Sequence, residues 1–461
     1  MKRAQHLFPE PGRLGGLTDL YQLTMAAGYH AHGMNDPCVF ELFVRRLPAN
    51  RGYLLAAGLE QALAYLADLS FDEESLRGLR DLPAFRRLDP SFFEALARLR
   101  FTGDVRAVPE GTVVFPGEPL LSVRAPAIQA QVVETYLLAT IGFQTLVATK
   151  ASRVVGAARG RDVVDFGSRR AHGPQAGLLA ARACLIAGSS GTSNVLAGLI
   201  LGARVVGTAA HSWTMMFDSE EEAFRAYHSV FPDSTLLLVD TYDSLAGTRR
   251  AIRAAGKDLA GVRIDSGDLA QVSRDVRRIL DEAGLPDAKI VASGDLNEEK
   301  VEALVSGGAP IDVFGVGTEM VTSRDDPTLS VVYKLVAVEK DGKLLPRVKS
   351  SPGKATYPLP KQVYRRTDSG GLFAGDTIAA LEETRTEGEP LLALVVSGGE
   401  RVADLPDLAT MRQRAADQVA RLPEGVRRLR RPQRYPVRYS RRLQRLAREE
   451  AARHVGNLSP E

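Results

Sequence analysis

The sequence predicts an α/β fold centred on a parallel β/α barrel, and two observations carry that prediction. Short apolar runs ("DVVDFG", "ARVVGTA", "STLLLVDTYDS", "GVRIDSGD", "AKIVASGDL", "IDVFGVGTE") recur between residues 162 and 319. Helical stretches such as "GTRRAIRAAGK" and "DLAQVSRDVRRILDEAG" separate most of them, the signature of parallel strands joined by helices. The runs also end on polar or small residues: Asp165, Thr208, Asp240, Asp265, Asp295 and Gly317. In β/α barrels that rim carries the chemistry. An open doubly wound sheet would also place ligands there. No G-x-G-x-x-G follows the first run, which favours the barrel.

The remaining elements follow in chain order. "LTDLYQLTMAAGYHAHG" predicts a helix capped by Thr18 or Asp19 and stopped at Gly33. "PCVFELFVRRLP" alternates apolar and polar residues and predicts a strand. Pro and Gly punctuate short β-rich runs from Gly103 to Pro126, as in a small twisted sheet. Near Gln129 the pattern changes to long helices with apolar residues three and four apart. After Tyr333 the chain is β-rich again, and its arginine-dense end carries Leu443, Leu446, Glu449 and Glu450. That spacing favours an amphipathic helix on the body over a nucleic-acid tail. The expected domains are 1–128 (α/β, completed by part of 340–400), 129–339 (the barrel) and 340–461 (a β-rich, then helical extension).

Composition bounds the class. The 461 residues are 44% hydrophobic and 25% charged, with a net charge of +3. Near balance makes no case for nucleic-acid binding. Cys38 and Cys184 match no metal spacing and predict a reduced setting. The first residues lack the apolar core of a signal peptide, and Arg182 and Arg204 interrupt the most apolar stretches. A soluble, cytoplasmic protein with no membrane partner is expected.

Several segments carry chemistry. "DFGSRRAHGPQAG" sets Arg169 and Arg170 beside Phe166, offering planar donor forks next to a flat apolar face. "GVRIDSGDLA" gathers Arg263, Asp265 and Asp268 at a glycine turn, "LVDTYDS" adds Asp240 and Asp243, and "ASGDLN" adds Gly294 and Asp295. Such carboxylates can hold ribose hydroxyls or Mg²⁺. Each could instead cap a helix, the commoner fate of Asp after a strand. "FGVGTE" offers Gly315 and Gly317 where barrels often cradle phosphate. His211, in "GTAAHSW", has no second ligand at zinc spacing. Nucleophile and general acid/base both remain open for it.

These motifs, with "LTDLYQLTMA", "GTSN" and "KSSPGKATYPLPKQVYR", stand in the order found in nicotinate phosphoribosyltransferases. The chain resembles that family from Leu17 to "PVRYSRRLQRL". The resemblance implies an irregular β/α barrel of the type II phosphoribosyltransferase kind beside a discontinuous α/β domain. It implies nicotinate mononucleotide and pyrophosphate made from nicotinate and phosphoribosyl pyrophosphate, with ATP hydrolysed through a phosphohistidine. It also implies a homodimer with shared sites. Residue by residue, His211 would carry the phosphoryl group. Tyr21 from a neighbouring subunit and Phe166 would sandwich the nicotinate ring. Arg169 and Arg263 would lie near the base carboxylate and the phosphoribosyl group. Asp265 and Asp295 would hold ribose or organise Mg²⁺, while Asp240 would orient His211 or a metal. Gly294, Gly317 and Thr318 would receive the 5′-phosphate, and Lys349 and Lys354 would meet pyrophosphate or ATP. Nicotinamide-using relatives carry an aspartate where Ser193 stands. A hydroxyl there suits a carboxylate-bearing ring, which an ionised Asp would repel.

Rival readings are a nicotinamide phosphoribosyltransferase, a quinolinate phosphoribosyltransferase and a silent nucleotide-binding relative. A Schiff-base aldolase would want a lysine at a strand end, whereas Lys289 precedes its strand.

Overall fold

The computed structural model describes residues 10–351, 355–383 and 387–456. The chain divides into two compact units, one of Met1–Thr145, Thr328–Asp407 and Asp417–Glu461, the other of Leu146–Pro327 and Leu408–Ala416.

The second unit is built on a six-stranded sheet. Its strands are β1 (Asp162–Asp165), β2 (Gly191–Thr192), β3 (Leu236–Leu238), β4 (Gly261–Ile264), β5 (Lys289–Ala292) and β6 (Val313–Val316), in the order β2-β1-β6-β5-β4-β3. Every pairing is parallel, and this curled sheet is the irregular β/α barrel the sequence predicts. The strands are short because each apolar run ends at the polar rim. Val262 and Ile264 are fully buried on one face of β4 while Arg263 stands partly exposed on the other, the two-residue period of a strand.

One predicted strand is much reduced. "ARVVGTA" forms only a parallel bridge between Val205 and Thr192. Gly202 ends the preceding helix in a left-handed turn. The chain then leaves after Thr192 has donated to the Arg204 carbonyl and accepted from the Val206 amide. Conversely, "GTSN" supplies strand β2, too short to carry a periodic signal.

Helices pack between the strands as their patterns predict. In Leu269–Glu282, Val276, Ile279 and Leu280 are buried, and the Asp268 carboxylate caps the start through the amides of Ala270 and Gln271. Asp243 caps Ser244–Ala255 through Ala246 at 2.7 Å. Among the described residues no helix is long and apolar enough to cross a membrane.

The first unit holds an antiparallel seven-stranded sheet, with Pro37–Val44 hydrogen-bonded between Val331–Lys340 and Pro119–Pro126. The expected helix runs Leu20–Ala31, where the Gln22 side chain accepts the Asp19 amide at 2.7 Å. Pro37–Val44 is buried on both faces. Its Glu41 therefore does not face solvent and pairs at 2.6 Å with the equally buried Lys361. A four-stranded sheet includes Lys361–Thr367 and Phe373–Ala380. The last helix, Arg441–Gly456, inserts fully buried Leu443 into this unit's core, as its amphipathic pattern predicts.

Candidate active site

Arg263 is the hub of the rim. Its Nε donates to Ser293 Oγ at 2.8 Å, Nη1 to Thr208 Oγ1 at 3.1 Å and Nη2 to Asp265 Oδ1 at 2.8 Å. The guanidinium also lies 5.3 Å from the Phe166 ring centroid, within cation–π range. One side chain thereby joins the segments that follow β1, β2, β4 and β5.

Phe166 owes its place to a missing side chain. A Cβ on Gly315 would come within 2.4 Å of the ring, so only glycine at the centre of β6 lets the aromatic face lie there. Gly294 is constrained in two ways: its φ is +98°, and a Cβ would sit 2.0 Å from the Asp265 carbonyl oxygen. Asp295 follows with φ +47°, a left-handed conformation that costs a non-glycine residue energy and clusters at functional sites.

The acids separate into two kinds. Asp243 and Asp268 are helix caps. Asp240 and Asp265 form the rim: Asp240 Oδ2 accepts the Asp265 amide at 2.9 Å and the Ser266 hydroxyl at 2.6 Å. Asp240 Oδ1 is buried without a partner among the described residues. Burial pushes the Asp265 carboxyl upward. Hydrogen bonds from Ser293 and Arg263, with the Arg263 and His211 charges, outweigh it and hold the carboxyl below its ordinary range.

His211 opens the short helix His211–Met215 and is partly buried. Its Nδ1 lies 3.2 Å from Thr241 Oγ1; the hydroxyl of Thr241, not the carboxylate of Asp240, is the ring's hydrogen-bond partner. Trp213 packs on Phe217 and Tyr227 and donates to the Ala223 carbonyl. Met215 and Met216 are exposed.

Asp165 is fully buried and turns inward, accepting the Gly167 amide and the Thr192 hydroxyl at 2.8 Å each. Its backbone carbonyl accepts the Ser193 amide at 2.8 Å. Burial raises its carboxyl above the ordinary value despite those bonds. Arg169 is exposed in the turn Ser168–Arg170. Gly317 and Thr318 are partly buried at the end of β6. Tyr21 and Lys349 belong to the other unit. Tyr21, 49% exposed, accepts from Gln22 Nε2, and exposed Lys349 donates its backbone amide to Thr356 Oγ1 and accepts the Thr356 amide. Lys354 lies outside the described residues.

Three family profiles match in sequence: the nicotinate phosphoribosyltransferase N-terminal domain over residues 17–142, the nicotinate phosphoribosyltransferase family over 162–368 and its C-terminal domain over 383–447. The nicotinate phosphoribosyltransferase pncB2 of Mycobacterium tuberculosis is 46% identical over 418 residues, 89% of this chain and 88% of its own. The Bacillus subtilis nicotinate phosphoribosyltransferase is 39% identical over 452 residues, 91% of each chain. The chain belongs to the nicotinate phosphoribosyltransferase family. The crystal structure of human nicotinic acid phosphoribosyltransferase superposes with a TM-score of 0.84 at 32% identity, covering 94% of this chain and all of that one.

In this family member the fold brings Phe166, Arg263, Asp265, Asp240 and His211 together with hydroxyls that the sequence did not single out. Ser293 and Thr241 each stand next to a residue that had been named, Gly294 and Asp240. That adjacency was the one signal available, because an isolated hydroxyl carries neither charge nor period.

Proposed function

We propose that this chain transfers the phosphoribosyl group of phosphoribosyl pyrophosphate to nicotinate, giving nicotinate mononucleotide and pyrophosphate. The observation that carries this reading is the Arg263 hub. A fixed cation beside an aromatic face, ringed by glycine turns and carboxylates, suits an anionic ring meeting a phosphorylated sugar. The ring nitrogen attacks C1 of the ribose as the bond to pyrophosphate breaks, so positive charge builds on the sugar and negative charge on the leaving group. Phe166 aligns the ring, and Arg169 and Ser193 meet its carboxylate. Asp265 and Asp295 hold the ribose, while Gly294, Gly317 and Thr318 take the 5′-phosphate. Positioning and preorganised charge supply most of the rate in such a reaction.

The donor set fits Mg²⁺. Asp240 Oδ1 is an orphaned buried carboxylate oxygen, its Oδ2 accepts the Asp265 backbone amide, and the Asp265 carboxyl is held below its ordinary range. When bound, Mg²⁺ supplies neutralisation of the pyrophosphate charge.

ATP enters through His211 in this reading. Its γ-phosphoryl group passes to an imidazole nitrogen as the bond to ADP breaks and the ring N–H proton leaves. Hydrolysis of the phosphohistidine then returns the free ring. Lys349 and Lys354 are assigned to the phosphates. A homodimer is supported by the apolar face of Val195–Leu201, where Leu199 and Ile200 are 73% and 69% exposed, a patch suited to a second copy. Tyr21 then reaches the partner's ring.

The test pairs wild type with His211→Ala, assayed with phosphoribosyl pyrophosphate and either nicotinate or nicotinamide, with and without [γ-³²P]ATP. Wild type should favour nicotinate, respond to ATP and take up label, and the variant should lose both label and response. Retained labelling and ATP stimulation in the variant would reject His211 as carrier; turnover of nicotinamide alone would reject the substrate.

A further inference from the structure

An ionic cluster centred on a buried lysine lies in the same unit as the rim, and no step of the proposed reaction uses it. Lys150, on the helix Glu134–Ala157, is 1% exposed. Its Nζ lies 2.6 Å from Glu298 Oε2 and 2.9 Å from Asp325 Oδ1. Arg153, one turn further along the same helix, holds the other Glu298 oxygen at 3.0 Å.

The two carboxylates sit on the two segments assigned to the phosphoribosyl group. Glu298 is fully buried and opens the helix Glu298–Ser306, three residues after Asp295. Asp325 follows the short helix Thr318–Val321, whose cap is Gly317. The segment after β5 turns through left-handed backbone at Gly294 and at Asp295, and at the non-glycine Asp295 that conformation persists where the surroundings hold it. Burying a lysine against the buried Glu298 carboxylate is weakly rewarded in stability compared with an apolar core. What the arrangement provides is a fixed distance between the two loops.

We infer that Lys150 is a positioning residue: a buried cation that ties the Gly294–Asp295 loop to the Gly317–Thr318 loop and so sets the width of the phosphoribosyl cradle. This rests on the phosphoribosyl reading of the site. Lys150 touches no reacting atom and acts through Glu298 and Asp325.

Steady-state kinetics of the full chain test it, using Asp325→Asn, Asp325→Glu and Lys150→Met. Asp325→Asn loosens one arm at a side chain that is 40% exposed, so it probes the tie even where Lys150→Met fails to fold. Both loosened variants should raise KM for phosphoribosyl pyrophosphate about tenfold and leave KM for nicotinate within about twofold, with Asp325→Glu restoring most of the loss. A lowered thermal midpoint with both KM values at the wild-type level would overturn the tie and leave the cluster structural. Wild type without any phosphoribosyl-pyrophosphate-dependent turnover would instead overturn the parent reading, and this one with it.

Discussion

Two arginines, one in each unit, show what separates a structural charge network from a functional one. Arg365 is 2% exposed at its side chain. Asp376 engages its Nε and Nη2, and the Val113 carbonyl and Gln418 take Nη1. Phe373 and Phe115 flank it at 4.6 and 5.5 Å, and Tyr435 completes Asp376 at 2.9 Å. Arg263 is 15% exposed and bonds two hydroxyls and one carboxylate. Nη1 and Nη2 each make one bond to a described residue, and Asp240, which accepts the Asp265 amide through Oδ2, keeps Oδ1 buried without a partner among the described residues. The first network is shut off from solvent, although Glu118 Oε1 within it is also buried without a partner among the described residues. The second stands partly open to solvent, with Asp265 30% exposed at its side chain, the condition for receiving a charged ligand.

Substitutions can break this contrast. Arg263→Ala should lower kcat/KM about 10³-fold while leaving the thermal midpoint nearly unchanged; an equal loss of stability would mean that the rim is mainly structural. Arg365→Met should do the reverse. Stripping the cation from buried Asp376 and Glu118 should destabilise by about 3–5 kcal/mol in chemical denaturation, with kcat/KM of the folded fraction retained.

A smaller effect sharpens the comparison through pH. Burial, reinforced by Asp376 and only partly offset by Arg365, pushes the Glu118 carboxyl well above its ordinary 4.5. A raised acid binds its proton more tightly in the folded chain. Its favourable term is therefore complete below about pH 4.5 and declines as pH rises toward the folded value. Glu118→Gln should flatten that part of the stability profile and gain at neutral pH, as read from denaturant midpoints between about pH 4 and pH 8. Asp265, held low, behaves oppositely: its contribution is present at neutral pH and lost as pH falls through its folded value.

Much of this was legible in the sequence, for identifiable reasons. Apolar runs ending in Asp or Gly located β1 and β3 to β6, and the same endings marked Asp240, Asp265, Gly294 and Gly317. The sequence left undecided which acid of each Asp-x-x-Asp pair caps a helix. Only the fold assigns Asp243 and Asp268 to caps and Asp240 and Asp265 to the rim. Glu41 read as the polar side of an alternating strand because its partner, Lys361, stands 320 residues away. Hydroxyls such as Ser293 and Thr241 became visible only once the fold set them against Arg263 and His211. Lys150 was hidden within a helix that read simply as apolar.

The central claim is that the open network around Arg263 is where phosphoribosyl pyrophosphate binds. Calorimetric titration of that compound into wild type and Arg263→Ala tests it most directly. Saturable binding by wild type, weakened at least about tenfold in a variant of unchanged thermal midpoint, is the expected result for loss of a charge-assisted contact. Equal affinity in the two proteins would contradict the claim.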